Sequence, residues 1–466
     1  MTGEYPLIVS ASGIRGIVGH TMTPEIAARY GAAFGSFIRD RAGPDAGDGY
    51  VLVGRDSRTS GDLLADAVAA GLRSAGLDVR LTGIGPTPTH LLSVRDDPQA
   101  LGGLIVTASH NPVEWNGLKL AAPDGRFVSP ADGLKIQELY ESGPILAGWD
   151  SLGSRAGKSG VADHHVERIL SLDVVDAEAI RAWSPLVALD CVHGAGAVVL
   201  PELLRRLGCR VEGIGLEPDG RFPRNPEPTA ENLGELGDLV RRSGAVVGLA
   251  VDPDCDRLSI VDETGRAIGE DWTLAFATEY VLARVPGPVV TNLSSSQSIE
   301  DVAAAAGVPF HRSAVGEARV AELMAARGAV IGGEGNGGVM LPDLNLTRDA
   351  PLAVALVLSL LATRRSGPGE LLHGRTRYTM VKRKTDRPAG GAAAAFRALE
   401  KEAGPDAEID HTDGLRIVWP ERKEWLHVRA SGTEPILRII SEAPDADRAT
   451  ELADWAGLHV EALSGG

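Results

Sequence analysis

Short apolar runs alternate with segments of helical spacing along most of this chain. The first set has a predicted strand at 50–56 that ends in a polar turn, helical spacing over 63–74 that ends at Gly76, and a second predicted strand at 77–81. An apolar run at 104–106 leads into a polar loop. Glycine after a helix is a common C-terminal cap, and strands that alternate with helices are typical of a parallel sheet.

The same order of elements recurs twice further along. The second set ends in the apolar run 245–250 and the third in the apolar run 329–331. Each last strand delivers a polar loop, and open α/β sheets bind ligands at the carboxyl ends of their strands. We therefore predict an α/β protein with three similar α/β domains, mixed and largely parallel sheets, and loops that face one central cleft.

The remainder of the chain has a different pattern. Segments that read as four antiparallel strands and two helices predict a C-terminal α+β domain. The Pro- and Gly-containing stretch 366–369 is the predicted joint and hinge. The predicted domains cover residues 1–156, 157–262, 263–370 and 371–466.

Composition narrows the function. The 466 residues include 46 Lys and Arg against 63 Asp and Glu, a net charge of −17. An acidic surface repels nucleic acid and anionic membranes, so we expect neither as a partner. The three cysteines are too few and too scattered for a disulfide framework or a zinc site. With no secretion signal, and apolar runs shorter than the about 20 residues that span a bilayer, we expect a cytoplasmic protein.

Three aspartates at alternate positions, Asp252, Asp254 and Asp256, follow the last strand of the second set. Like charges this close require a cation, and a hard divalent ion with oxygen ligands suits them. We interpret the loop as a Mg²⁺ site with Arg257 as an adjacent anion-binding group; a solvated acidic turn is the alternative. A calcium loop is excluded, because it needs glycine where Arg257 stands and the run 258–261 continues as a strand.

The loop after the first set carries Ser109, followed by donors at His110, Asn111 and Lys119. Beside a Mg²⁺ site a serine oxygen suits phosphoryl transfer, whereas the loop in isolation could equally be a structural turn. Adjacent residues of an extended chain point to opposite faces, so His110 need not act as the base for Ser109.

Two further loops suit a phosphorylated sugar. Glu334 and Asn336, in the glycine-rich stretch 332–338, can hydrogen-bond vicinal hydroxyls; a flexible hairpin turn is the alternative. Arg429 opens a loop of serine, glycine and threonine that can cradle a phosphate; a surface turn is the alternative.

Taken together, five segments resemble the α-D-phosphohexomutase superfamily in order and rough spacing. They are residues 12–16, 107–112, 252–257, 333–338 and 429–435. The resemblance covers the whole chain. It implies four domains around a central cleft, three of them alike, in agreement with the repeat.

The resemblance also implies an activity, the interconversion of hexose 6-phosphate and hexose 1-phosphate through a phosphoserine enzyme and a sugar 1,6-bisphosphate. The stretch 333–338, together with 113–117, looks like members assigned to phosphoglucosamine mutase; phosphoglucomutase or phosphomannomutase is the alternative. Asn336 and Ala314 depart from many members, which have serine and lysine near these positions. A sugar phosphatase and a non-catalytic sugar-phosphate-binding protein are more remote alternatives.

By position, the resemblance assigns roles that the chemistry above allows. The serine loop and its basic neighbours would act in catalysis: Ser109, His110, Lys119, Arg15 and Arg257. The substrate would contact Glu334, Asn336, Arg429, Ser431, Gly432 and Thr433. The metal ligands would be Ser109, Asp252, Asp254 and Asp256. We accordingly expect one Mg²⁺ per chain, a phosphoserine at Ser109, a sugar 1,6-bisphosphate activator, hexose phosphates as partners, and a monomer or homodimer.

Overall fold

The computed structural model describes residues 7–10, 13–43, 49–388, 390–431 and 436–463. The chain forms two units with their own internal contacts. The first contains residues 1–280 and 337–371, and the second contains residues 281–336 and 372–466. No helix within the described ranges is long and apolar enough to cross a membrane.

A mixed sheet opens the first unit. Its strands are β1 (Ile8–Ser10), β2 (Gly13–Ile17), β3 (Tyr50–Arg55), β4 (Asp78–Ile84), β5 (Ala100–Val106), β6 (Trp115–Ala121) and β7 (Arg155–Gly157). Its helices are α1 (Pro24–Ala42), α2 (Gly61–Ser74), α3 (Thr87–Arg95) and α4 (Pro130–Ser142). The strand order is β1-β2-β6-β5-β3-β4-β7; β3 pairs in parallel with β4 and β5, whereas β6 pairs antiparallel with β2 and β5. The apolar faces of α1 and α2 pack with this sheet in one core.

A second sheet in the same unit carries the aspartate loop. Its elements are α5 (Val161–Leu170), α6 (Ala177–Trp183), β8 (Leu186–Asp190), α7 (Leu200–Arg206), β9 (Arg210–Ile214), α8 (Gly234–Ser243), β10 (Val247–Val251) and β11 (Leu258–Val261). The order is β11-β10-β8-β9, in which only the pairing of β10 with β11 is antiparallel. All five residues of β10 are buried, which accounts for its continuous apolar sequence.

The third set of elements is divided between the units. It comprises α9 (Asp271–Leu282), β12 (Val289–Asn292), α10 (Gln297–Ala305), β13 (Phe310–Ser313), α11 (Glu317–Arg327), β14 (Ile331–Glu334), β15 (Gly338–Met340), α12 (Ala350–Arg364) and α13 (Pro368–Leu371). In the second unit, β12 pairs in parallel with β13 and β14. In the first unit, α12 is buried from Ala350 to Ala362, as expected of a helix that is apolar on every face.

The C-terminal part of the second unit is an antiparallel sheet with two helices on it. Its elements are β16 (Thr379–Asp386), α14 (Ala392–Glu402), β17 (Glu408–Asp410), β18 (Leu415–Trp419), β19 (Glu424–Ala430), β20 (Ile436–Ala443) and α15 (Ala446–Ala462). The strand order is β16-β20-β19-β18-β17. Apolar residues of β18, β19, β20, α14 and α15 form its core.

The predicted fold class is confirmed: three α/β domains precede a C-terminal α+β domain. Four local predictions need correction. The sequence pattern predicts no helix between the strand at 77–81 and the strand before the serine loop, where the structure has α3, and it does not predict β17. The spacing over 198–207 predicts one continuous helix, but the structure has a 3-10 turn followed by α7, with Pro201 in the first turn of α7. The strand predicted to end at residue 331 continues as β14 to Glu334.

Candidate active site

The aspartate loop leaves the buried strand β10 and turns sharply before β11. Cys255 makes the turn with φ of 55°, in the left-handed region that few L residues adopt. The backbone N–H groups of Asp256 and Arg257 donate to Oδ1 of Asp252 at 3.1 and 3.2 Å. One carboxylate oxygen from each of Asp252, Asp254 and Asp256 lies within 4.8 Å of the others, and all three residues are buried. The structure therefore brings these three side chains together.

Two cationic side chains and one hydroxyl contact the Oδ2 atoms of Asp254 and Asp256. Lys119 Nζ lies 2.7 Å from Oδ2 of Asp254 and 3.5 Å from Oδ2 of Asp256. Thr87 donates its hydroxyl to Oδ2 of Asp254 at 2.7 Å. Arg348 donates to Oδ2 of Asp256 at 2.6 Å. These partners fix the orientation of both carboxylates.

The opposite oxygens of the same two aspartates are less engaged, with Nε of Arg257 3.6 Å from Oδ1 of Asp256. Oδ1 of Asp254 and Oδ1 of Asp256 are buried and accept no hydrogen bond from any described residue. Burial, followed by the charges of Asp256 and Asp254, raises the pKa of Asp252 well above its ordinary value. Burial acts in the same direction on Asp254, but Lys119, Thr87 and Arg348 together outweigh it and lower the pKa of that carboxyl. Crowded carboxylates with unused oxygens are the ligand set of a hard divalent cation, so the residues fit Mg²⁺.

Ser109 lies beside this cluster and is buried. Its hydroxyl is 3.4 Å from Oδ2 of Asp252 and 3.4 Å from Nδ1 of His110. The prediction that an extended chain directs Ser109 and His110 to opposite faces is wrong, because Ser109 has φ of 52° and is not extended. Its backbone N–H donates to the hydroxyl of Thr107 at 2.9 Å, which steadies this strained residue.

A fully buried arginine, Arg58, contacts the backbone of the serine loop, and the sequence analysis did not identify it. Its guanidinium donates to the Oδ2 of Asp56 at 3.1 Å. Its remaining donors serve four backbone carbonyls, those of Ser109, Asn111, Pro112 and Trp115, at 2.6 to 2.8 Å. Arg58 lies in the polar turn that follows β3, so its position after a strand was the available signal.

The predicted residues Arg15, Arg257 and His110 contact the neighbours of Ser109 in the serine loop or one another's partners. Arg15 donates to Oδ1 of Asn111 at 3.3 Å. Glu227, which was not predicted, accepts from Arg257 at 3.4 Å and lies 3.8 Å from Nε2 of His110. Burial, with the neighbouring charges of Arg257 and Arg15, lowers the pKa of His110 to about 2, so its imidazole is neutral.

In the second unit, the predicted sugar residue Glu334 ends β14 and is buried. Its Oε1 accepts from Nδ2 of Asn292 at 2.8 Å and from the backbone N–H of Gly316 at 3.2 Å. Gly335 N donates to the hydroxyl of Ser295 at 2.9 Å. Asn336 lies in the turn that follows and is half-buried.

The predicted phosphate residue Arg429 lies near the end of β19, directly opposite Arg438 of β20. Nε of Arg429 is 3.2 Å from Oδ2 of Asp413, an ion pair that the sequence did not indicate. Ser431 N donates to the carbonyl of Ile436 at 3.0 Å. Gly432 and Thr433 lie outside the described residues.

Comparison with known proteins places the whole chain in one family. The four phosphoglucomutase/phosphomannomutase models match in order: alpha/beta/alpha domain I at residues 7–144, domain II at 163–265, domain III at 269–378 and the C-terminal domain at 380–455. Fold and site together define a phosphohexomutase, an intramolecular phosphotransferase. The chain belongs to the phosphoglucomutase/phosphomannomutase family.

Individual relatives agree with this family, but their names give different sugars. A phosphoglucomutase/phosphomannomutase of Thermococcus kodakarensis is 38% identical, with 97% of this chain and 98% of the relative covered. A probable phosphoglucosamine mutase of Methanopyrus kandleri is also 38% identical, with coverages of 97% and 96%. A crystal structure of a phosphoglucomutase/phosphomannomutase family protein from Burkholderia thailandensis superposes with a TM-score of 0.85 at 26% identity, covering 98% of this chain and 99% of that chain.

Proposed function

We propose that this protein interconverts glucosamine 6-phosphate and glucosamine 1-phosphate through a phosphoserine at Ser109 and a glucosamine 1,6-bisphosphate. The observation that carries the proposal is the buried hydroxyl of Ser109, 3.4 Å from Asp252 in a carboxylate cluster that fits Mg²⁺. The choice of sugar rests on the Glu334–Asn336 segment and on relatives such as the probable mutase of Methanopyrus kandleri.

The proposed reaction has two mirrored steps. A sugar hydroxyl attacks the phosphorus of phospho-Ser109, the bond from phosphorus to Oγ breaks, and a base takes the hydroxyl proton. The bisphosphate then presents its other phosphate: Oγ of Ser109 attacks that phosphorus, the bond from phosphorus to the sugar oxygen breaks, and the proton taken in the first step is given to this oxygen, which leaves the product. Bound Mg²⁺ supplies charge neutralisation for the oxygens of the moving phosphoryl group.

Residues of the chain have distinct proposed tasks in these steps. Arg58 holds the loop that carries Ser109, through the carbonyl groups described above. Lys119 and Arg348 hold Asp254 and Asp256 by their Oδ2 atoms, and these two carboxylates together with Asp252 would hold the metal. The neutral imidazole of His110 lies beside the reacting oxygen, Arg15 contacts Asn111 of the serine loop, and Arg257 lies beside Asp252 and Asp256.

The sugar itself would be held by the residues of the second unit. Glu334 is the proposed acceptor for sugar hydroxyls, with Asn336 beside it. Arg429, Ser431, Gly432 and Thr433 are the proposed contacts of the phosphate that does not react. An acidic protein needs such a local basic group, and the fork of Arg429 can grip a phosphate through two nitrogens at once.

Phosphoglucomutase or phosphomannomutase activity is the second candidate, favoured by the name of the Thermococcus relative. Turnover of glucosamine, glucose and mannose phosphates by one enzyme preparation separates the candidates. We expect the highest kcat/KM with glucosamine phosphate. A higher value with glucose or mannose phosphate would reassign the sugar and leave the phosphohexomutase class intact.

Intact-mass spectrometry tests the phosphoserine. The protein should carry one added phosphate, or acquire one from a sugar 1,6-bisphosphate, and Ser109→Ala should not. Turnover by Ser109→Ala at the rate of the unchanged protein would overturn the proposal. Release of inorganic phosphate without isomerisation would instead indicate a phosphatase.

A further inference from the structure

Asp413 contacts two segments of the second unit, the end of β19 and the loop before α11. Its Oδ2 lies 3.2 Å from Nε of Arg429, the proposed phosphate contact. The same oxygen accepts a hydrogen bond from the backbone N–H of Val315 at 3.0 Å. Val315 precedes α11, so one carboxylate oxygen connects the phosphate arginine to the start of a helix in the neighbouring α/β layer.

The position of Asp413 is fixed from both sides. His427 donates from Nε2 to the carbonyl of Asp413 at 2.7 Å, and Nδ1 of the same ring faces the hydroxyl of Ser294 at 2.9 Å. The next residue, Gly414, has φ of 90°, and a Cβ there would come within 2.4 Å of the carbonyl of Val428. Only glycine allows the turn to lie this close to β19, so the carboxylate has little freedom to move away from Arg429.

Adjacent peptide groups carry the connection onward to the proposed sugar residue. Val315 N–H donates to Asp413, and the next N–H, that of Gly316, donates to Oε1 of Glu334 at 3.2 Å. Both groups lie at the N-terminus of α11, where the helix dipole favours negative charge. The two carboxylates are therefore held by consecutive links of one rigid segment.

We propose that Asp413 is a positioning residue for the phosphohexomutase reaction: it orients Arg429 toward the phosphate and couples that arginine to Glu334 through Val315 and Gly316. The inference rests on the proposed function. Nε of Arg429 makes no hydrogen bond within the described residues, so its pairing with Asp413 is a charge contact, and Asp413 does not use the two terminal nitrogens through which an arginine grips a phosphate.

The test is Asp413→Asn, which keeps an oxygen for Val315 but removes the charge that holds Arg429. We expect KM for the hexose phosphate to rise about tenfold with a smaller change in kcat, since one charged interaction is lost. The affinity for inorganic phosphate, measured by calorimetry, should fall in parallel. Asp413→Glu should recover part of the loss.

Asp410→Asn is the matched control, because the carboxylate of Asp410 accepts from Thr412 of its own turn at 2.7 Å. It should leave KM and kcat unchanged. The coupling is measured with Glu334→Gln and the double variant, whose loss should be smaller than the product of the single losses. Thermal unfolding of every variant identifies any that fails to fold.

The outcomes separate the two proposals. If the unchanged protein turns over no hexose phosphate, the proposed function fails, while phosphate affinity still reports on Asp413. If Asp413→Asn is well folded and binds phosphate as tightly as the unchanged protein or more tightly, Asp413 is only a competing counter-ion. Strictly multiplicative losses in the double variant would refute the coupling to Glu334.

Discussion

At the scale of single residues, the candidate active site depends on cations that hold carboxylates and carbonyls in place. Lys119 and Arg348 reach Asp254 and Asp256 from distant parts of the chain, at 2.7 and 2.6 Å. Arg58 satisfies backbone carbonyls that burial would otherwise leave unpaired. Two of these three cations escaped sequence reasoning, because their neighbours in sequence carry no sign of the partners they meet.

Replacing Arg58 by lysine should destabilise the protein and disorder the serine loop. Lysine has three donors on one nitrogen and cannot reach the five acceptors that the guanidinium serves. We expect a loss of roughly 3 kcal/mol in the free energy of unfolding, together with slower phosphorylation of Ser109. Urea denaturation and intact-mass spectrometry measure the two effects.

Arg41→Lys is the control for this substitution. Arg41 forms an exposed ion pair with Asp132 at 3.2 Å, and its change should cost less than about 0.5 kcal/mol. Equal stability of the Arg58→Lys and Arg41→Lys variants would contradict the assigned role of Arg58.

Asp254→Asn should weaken Mg²⁺ binding, because it removes one charge from the ligand set and disturbs Lys119. At a concentration of about 100 times Kd, Mg²⁺ should stabilise the unchanged protein by about 2.7 kcal/mol against unfolding. Thermal melts over a Mg²⁺ series should show a weaker dependence for Asp254→Asn. The exposed Asp238→Asn should behave like the unchanged protein, and an unaltered Mg²⁺ dependence of Asp254→Asn would remove this loop from the metal site.

At the scale of secondary structure, helix ends fix the functional loops. Asp349 caps α12 by accepting from Leu352 N at 2.8 Å, and its other oxygen meets Nε2 of His165 at 2.9 Å. His165 in turn contacts the hydroxyl of Thr89 on α3 at 2.8 Å. Asp349 directly follows Arg348, so this buried chain of contacts also sets where Arg348 meets the aspartate loop.

Asp349→Ala should therefore cost more than an ordinary helix cap. The lost cap contributes about 1 kcal/mol, and the buried imidazole left without its partner adds about 1–3 kcal/mol. The comparison is Asp445→Ala at the exposed N-terminus of α15, where only the bond from Arg448 N at 3.0 Å is lost. Chemical denaturation of both variants gives the difference, and equal losses would show that His165 contributes nothing.

At the scale of the whole molecule, each unit contains a buried histidine that remains neutral. Burial lowers the pKa of His90 in the first unit to about 4, and it lowers the pKa of His427 in the second unit to about 4. Their ordinary value is about 6.5, so above that pH both are neutral whether the chain is folded or unfolded. As the pH falls from about 6.5 toward 4, only the unfolded chain gains these protons, and stability is lost.

Urea denaturation at about pH 7 and about pH 5 measures this effect. Each histidine should cost roughly 2 kcal/mol of unfolding free energy between these values, from 1.36 kcal/mol per pH unit. His427→Gln should lower stability at neutral pH but show a smaller further loss on acidification. A variant with the full acid dependence would place the responsible groups elsewhere, among the carboxylates.

The sequence by itself determined the succession of elements and the chemistry each loop offers. Apolar runs of strand length, helical spacing and glycine caps are local signals, and they located β10 and the loops of Ser109, Asp252 and Glu334 without any structure. Alternate aspartates after a buried strand likewise indicate a crowded carboxylate cluster, because three carboxylates within five residues of one turn cannot lie far apart.

Only the tertiary structure decided which distant groups complete those loops. The aspartates have partners from three other parts of the chain: Lys119, Thr87 and Arg348. The contacts of Arg58 with the serine loop and of Asp413 with Val315 also join segments that are far apart in sequence. Such contacts depend on how sheets and helices pack, over distances that no local periodicity encodes. The positive φ of Ser109 likewise depends on tertiary structure, because surrounding hydrogen bonds, rather than its own conformational preference, hold it in the left-handed region.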